Sequence, residues 1–178
     1  MPPHPGALSW PWSTLGPRAG VFRTFAEHGY VGADLHCPIG SLVPAPVAGV
    51  IVFTGWVGPR DASKKSSLGY SIVLHDPRLG ETWLLGHGTG RYLVRVGFVV
   101  VPSQALMQSG NSGYSRGPHV HCERWEGALW PRKGRFLDPL EGTRWASGPR
   151  TAPTPRAPIG GAGVRARPGA LPRGWFAR

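Results

Sequence analysis

Thiols are scarce in this chain of 178 residues: Cys37 and Cys122 are the only two. That is too few for a disulfide framework, and the spacing is not that of a zinc knuckle. No run of about 18 apolar residues occurs, which argues against a membrane-spanning helix. The opening stretch, MPPHPGALSWPWSTLGPRAG, has no basic start followed by an apolar run, so a secretory signal is not expected. Acidic residues are few, nine in all, and the formal net charge is +11. Seven arginines fall between Gly142 and Arg178, a stretch with no acid, and without them residues 1–141 carry only +4. The basic character therefore belongs mostly to the C-terminal segment, and nucleic-acid binding by the body is not implied.

What is abundant is glycine (27) and proline (20), together more than a quarter of the chain, with much of it at the two ends. Residues 1–20 read as an irregular arm, with Pro2, Pro3, Pro5 and Pro11 interleaved with Trp10 and Trp12. From residue 21 to 140, short apolar or alternating runs recur between Gly, Pro and Ser punctuation, the pattern of an all-β, mainly antiparallel domain of one-domain length. Strands are expected near 31–36, 48–56, 70–76, 81–87, 93–101, 104–108 and 118–124. The polar segment 57–67, with two of the three lysines, reads as a surface excursion. No amphipathic helix of any length is visible. Residues 141–178 are rich in Pro, Gly, Ala, Thr and Arg, and alone in water such an extended tail could not offset its ordering entropy.

The residues that carry chemistry lie in three places. In Gly117-Pro-His-Val-His-Cys-Glu123, His119 and His121 stand at i and i+2, so a β-strand presents both imidazoles on one face. Asp34 follows Gly32-Ala33 at the start of another strand. His87 ends the run Trp83-Leu-Leu-Gly-His87.

With these residues in view the chain resembles the lysostaphin-type, or LytM-like, zinc metallopeptidases that cut peptide cross-links in bacterial peptidoglycan. The matching blocks are Gly32-Ala-Asp34, Gly40-Ser-Leu-Val-Pro-Ala-Pro-Val-Ala-Gly-Val-Ile51 and Gly69-Tyr-Ser-Ile-Val-Leu-His75. They continue through Leu85-Gly-His87-Gly, Val94-Arg-Val-Gly-Phe-Val-Val100, Gly110-Asn-Ser-Gly-Tyr-Ser-Arg-Gly-Pro-His-Val-His-Cys-Glu123 and Asp138-Pro139. All occur in order at family-like spacing. The resemblance implies a lysostaphin-like fold, a β-sandwich/barrel-sandwich hybrid, and a Zn2+ cofactor. It also implies Asp34 and His121 as zinc ligands and His87 and His119 as catalytic histidines, with peptidoglycan peptides as substrate. Three protein ligands would leave the open position that a catalytic zinc needs.

The first ligand departs from the family pattern, because the expected histidine falls on Tyr30, and a phenol is a poor ligand at neutral pH. His28 could substitute if its loop bulges, and so could His36 if its strand is regular; the alternative is that neither does. Gly86 and Gly88 flank His87 where the family has larger residues, and Tyr70 takes the place of the usual Asn. Strand parity turns Cys37 and Cys122 away from the metal side, where two buried free thiols are expected. Trp56 and Trp83 are expected in the core.

Two functions of different class remain. One is a peptidoglycan endopeptidase, virion-associated at a phage tail tip or released as an endolysin at the host wall. The other is a degenerate domain with a structural or wall-binding role, its tail lying along other virion or assembly subunits. A sugar phosphocarrier with paired histidines is disfavoured by Asp34 and the complete block around His119 and His121.

Overall fold

The computed structural model describes residues 11–61, 67–127 and 134–141. Ten strands occur there: β1 (Gly20–Arg23), β2 (Ala33–His36), β3 (Leu42–Pro44), β4 (Gly49–Val57), β5 (Gly69–Asp76), β6 (Glu81–Tyr92), β7 (Val99–Val100), β8 (Ala105–Ser109), β9 (His119–Glu126) and β10 (Phe136–Leu137). A single 3-10 turn, Trp12–Leu15, precedes them. All pairings are antiparallel, in the order β1-β2-β9-β6-β5-β4-β7, with β10 on β9 and β8 joining β3 to β6.

The longest strands form where β-branched and aromatic residues are densest. β5 and β6 make a hairpin whose turn is set by its own residues: Asp76 Oδ1 accepts the Arg78 N–H at 2.9 Å, and Gly80 adopts φ 65°. β6 then does two jobs along its length. Residues 81–86 pair with β9, from Glu81 opposite Glu126 to Gly86 opposite His121, and from Gly88 onward the strand pairs with β8. The change of partner falls at His87.

Alternation along the strands builds two apolar layers. Leu35, Ile51, Ile72, Leu74, Trp83, Leu85, Val120 and Cys122 belong to the larger cluster, and Val57, Val73, Leu84 and Trp125 to the smaller. Each fully buried Leu or Ile contributes about 1.5–3 kcal/mol relative to exposure. Cys37 and Cys122 are free thiols in the larger cluster, and burial, the largest influence on each, pushes both up.

The structure departs from the sequence expectation in several places. Strands β1, β3 and β10 are too short for periodicity to reveal them. Most of 93–101 is a turn around Gly97, with Leu93, Val96 and Phe98 at least partly exposed and only Val99–Val100 in a strand. Residues 12 and 15, expected in an irregular arm, are buried core: Trp12 packs with Trp83, ring centroids 6.5 Å apart. Trp56 lies outside both clusters; it meets the Tyr70 ring edge-on at 5.1 Å, with the Arg60 guanidinium 5.4 Å from its centroid. Residues 62–66, in the polar excursion, and residues 142–178, most of the C-terminal tail, lie outside the described residues.

Candidate metal centre

Three strands and one turn bring the polar side chains together. Asp34 on β2 is directly opposite His121 on β9, and His36 is opposite His119, so the β2–β9 ladder sets the carboxylate beside the His-x-His pair. The Asp34 Oδ1 lies 2.8 Å from His121 Nδ1 and 3.6 Å from His119 Nε2. Its second oxygen, Oδ2, lies 3.5 Å from His28 Nε2. Ligand atoms of His28, Asp34 and His121 fall within 4.8 Å of one another.

His28 arrives by a local device. Strand β1 ends at Arg23, and residues 24–30 fold into one helical turn with a complete cap at each end. Glu27 Oε2 accepts the Thr24 N–H at 2.8 Å, while Thr24 Oγ1 accepts the Glu27 N–H at 3.3 Å, which is a capping box. At the other end the Tyr30 N–H donates to Phe25 O and the Gly29 N–H to Ala26 O, the paired bonds of a Schellman motif. Gly29 takes the left-handed conformation there, φ 72°. The His28 ring is thereby directed at His121, centroids 4.7 Å apart.

The same motif accounts for Tyr30. As the residue beyond the left-handed glycine it packs edge-on against Phe25, centroids 5.6 Å apart, and remains 66% exposed. The acid and imidazole donors that converge are those of His28, Asp34 and His121; His36 is not among them. His36 is exposed, with Nδ1 3.1 Å from Pro118 O.

Gly32 lets this turn lie close to β9. A Cβ there would meet Cys122 O and stand 2.9 Å from His121 Cε1. Glu123 is a site residue that the sequence analysis did not single out: buried, two residues beyond His121 on the same face, its Oε1 is 3.2 Å from His121 Nε2. The i, i+2 spacing that selected His119 and His121 was the available signal.

His87 and His119 form the other half of the site, centroids 4.6 Å apart. His87 is in the left-handed region, φ 62°, at the irregularity where β6 changes partner; such a bulge re-aims a side chain. Its Nδ1–H donates to Ser112 O at 2.6 Å, and the His119 Nδ1–H donates to Gly117 O at 2.8 Å. Both imidazoles are thereby held with the proton on Nδ1 and Nε2 bare. Ser112 is a staple for this arrangement, since its hydroxyl accepts the Tyr70 N–H and donates to Gly88 O.

The electrostatics follow from burial and these contacts. Burial, the largest influence, raises Asp34, but hydrogen bonds from His121 and His28 with the charges of His121 and His119 outweigh it and hold the carboxyl well below its usual range. Burial lowers His121, yet Asp34 and Glu123 reverse that and lift it to about 9. Burial first, then the neighbouring His119 charge, lowers His87 to about 4. Burial also lowers His119. Two of the four residues are thus neutral bases at pH 7, and two form an ionised pair.

Two imidazoles and one carboxylate, converging within 4.8 Å, are the donor set of a catalytic zinc site, in which three protein ligands leave a fourth position to water or substrate. Fold and site together define a β-sheet metallohydrolase. The profile of peptidase family M23 matches residues 28–139, and the chain belongs to that family of zinc-dependent peptidases. The chain is 28% identical to the catalytic domain of the antimicrobial peptidase lysostaphin from Staphylococcus simulans, covering 65% of this chain and 79% of that one, TM-score 0.54. With intact lysostaphin the identity is 25% and the TM-score 0.53, over 84% of this chain and 53% of that one, so the match spans about half of that protein. A LytM-type protein from Ruminococcus gnavus is 18% identical with TM-score 0.56, over 72% and 54% of the two chains, a likeness of fold alone. The antiparallel architecture is accordingly the lysostaphin-like one. Comparison with curated proteins returned no match.

Proposed function

We propose that this protein is a zinc endopeptidase that hydrolyses peptide cross-links of bacterial peptidoglycan. The observation that carries the reading is the placement of three donors, His28, Asp34 and His121, beside two imidazoles whose Nε2 atoms are bare. In this reading His28, Asp34 and His121 hold the zinc. The bound ion would supply Lewis acidity, lowering the pKa of a coordinated water and polarising the scissile carbonyl. His87 and His119 would do the proton work. One Nε2 would take the proton of the attacking water and return it to the departing amine, and the other would accept a hydrogen bond from that water and orient it. The carbonyls of Ser112 and Gly117 keep each ring in the tautomer that this requires.

The competing reading, a degenerate structural domain, draws its support from Tyr30 in place of a ligand histidine and from the arginine-rich, Pro/Gly-rich extension. His28, 3.5 Å from Asp34, supports the enzyme over it. The proposed setting is the bacterial wall, reached from a phage tail tip or as an endolysin. Seven arginines and no acid between Gly142 and Arg178 suit contact with anionic wall polymers or with an acidic face of a neighbouring virion subunit.

The test is elemental analysis of the purified protein beside His121→Ala, with release of new amino groups from purified peptidoglycan as the activity assay. About one zinc per chain, lost in the variant, together with amine release that a chelator stops, is the expected result. Absence of zinc after reconstitution would sink the proposal.

A further inference from the structure

His121 is enclosed on every side that the chain provides. It is 3% exposed, its Nδ1 faces Asp34 and its Nε2 faces Glu123 Oε1 at 3.2 Å. The Gly32 backbone covers the ring edge, since a Cβ built at Gly32 would stand 3.1 Å from Nε2. A histidine that binds a metal through one nitrogen carries a proton on the other, and that N–H needs an acceptor. Where the ring is shut off from solvent, water cannot serve, and leaving the group unpaired would be costly. Glu123, itself 3% exposed, is the acceptor in place.

We propose that Glu123 is the positioning residue of the metal centre: by accepting the Nε2–H of His121 it fixes the tautomer that leaves Nδ1 as the ligand atom. This inference rests on the zinc-centre reading above. Glu123 does not touch substrate in it. Its work is to orient the ring and, as a carboxylate, to strengthen the ring's donation through Nδ1. The β9 pleat makes the arrangement rigid, because residues 121 and 123 share a face and a strand.

Two variants separate orientation from packing. Glu123→Gln keeps an acceptor oxygen and loses the charge; Glu123→Met keeps the length and loses both. Zinc affinity is measured by chelator competition on the full chain, with near-ultraviolet circular dichroism of the tryptophans reporting the fold. E123M is expected to bind zinc about 10–100-fold more weakly and E123Q to fall between it and wild type. In zinc-loaded wild type the His121 Nε2–H is expected as a slowly exchanging proton in nitrogen-edited NMR, and lost in E123M. Should E123M fail to fold, weakened binding in folded E123Q supports the assignment. Folded variants that bind zinc like wild type overturn it while leaving the metal centre intact. Wild type that takes up no zinc overturns both readings at once.

Discussion

At the scale of single residues the decisive question is which side chain completes the donor set. Spacing pointed to Tyr30, and the structure brings His28 instead to 3.5 Å from Asp34. The pair of substitutions that separates them is direct. His28→Ala is expected to drop zinc well below one per chain, whereas Tyr30→Phe should keep it and change stability by no more than about 0.5 kcal/mol, as exposed substitutions do. Zinc retained in His28→Ala and lost in Tyr30→Phe would reverse the assignment. A third variant addresses the proton work: His87→Ala should retain zinc and fall about 10²–10⁴-fold in kcat, measured by amine release. The convergence of Asp34, His87, His119 and His121 was readable in the sequence because each sits inside a block that matches the family pattern. Residue counting put the first ligand's position at Tyr30, and it does not show the chain path between β1 and β2, where the turn at 24–30 carries His28 to Asp34.

That turn is the element whose design matters most to the proposed centre. Its signals were in the sequence: Thr24 and Glu27 at capping-box spacing, then Gly29 at the position that ends a helix. They are local, and a reading tuned to strand alternation passes over one turn. β1, β3 and β10 escaped for the opposite reason. Strands of two to four residues take their identity from a distant partner, as Phe136 does from Trp125. The turn also gives a prediction. Glu27→Ala removes the carboxylate that accepts the Thr24 N–H and hydroxyl, leaves the backbone N–H bond to Thr24 Oγ1, and should cost about 1 kcal/mol. Because His28 is carried by the turn, much of that loss is expected as weaker zinc binding rather than as a lower melting temperature of the metal-free protein. Chelator competition and thermal unfolding, run side by side, distinguish the two; a drop in metal-free stability with unchanged zinc affinity would mean that the caps do not position His28.

For the whole molecule, the same contacts set how stability and metal binding respond to pH. In the metal-free protein His121 is held at about 9 against an ordinary value of 6.5, so the proton it carries favours the folded state. That contribution is fully present below 6.5 and is lost as pH rises to about 9. His87 acts with the opposite sign: lowered to about 4, it penalises folding in acid, and stability falls as pH drops from 6.5 toward 4. Metal-free stability is therefore expected to peak near pH 6.5 and decline on both sides. A ligand must be deprotonated to bind metal, so zinc displaces the proton between Asp34 and His121. Zinc affinity should then rise with pH throughout the range below about 9, by about one log unit per pH unit, and level off above as competition from that proton ends. The stabilisation conferred by a fixed excess of zinc grows with it. Melting curves with and without zinc, collected across this range, test the point. A zinc-induced shift that widens with pH would tie the metal to His121, and a shift independent of pH would place it elsewhere in the molecule.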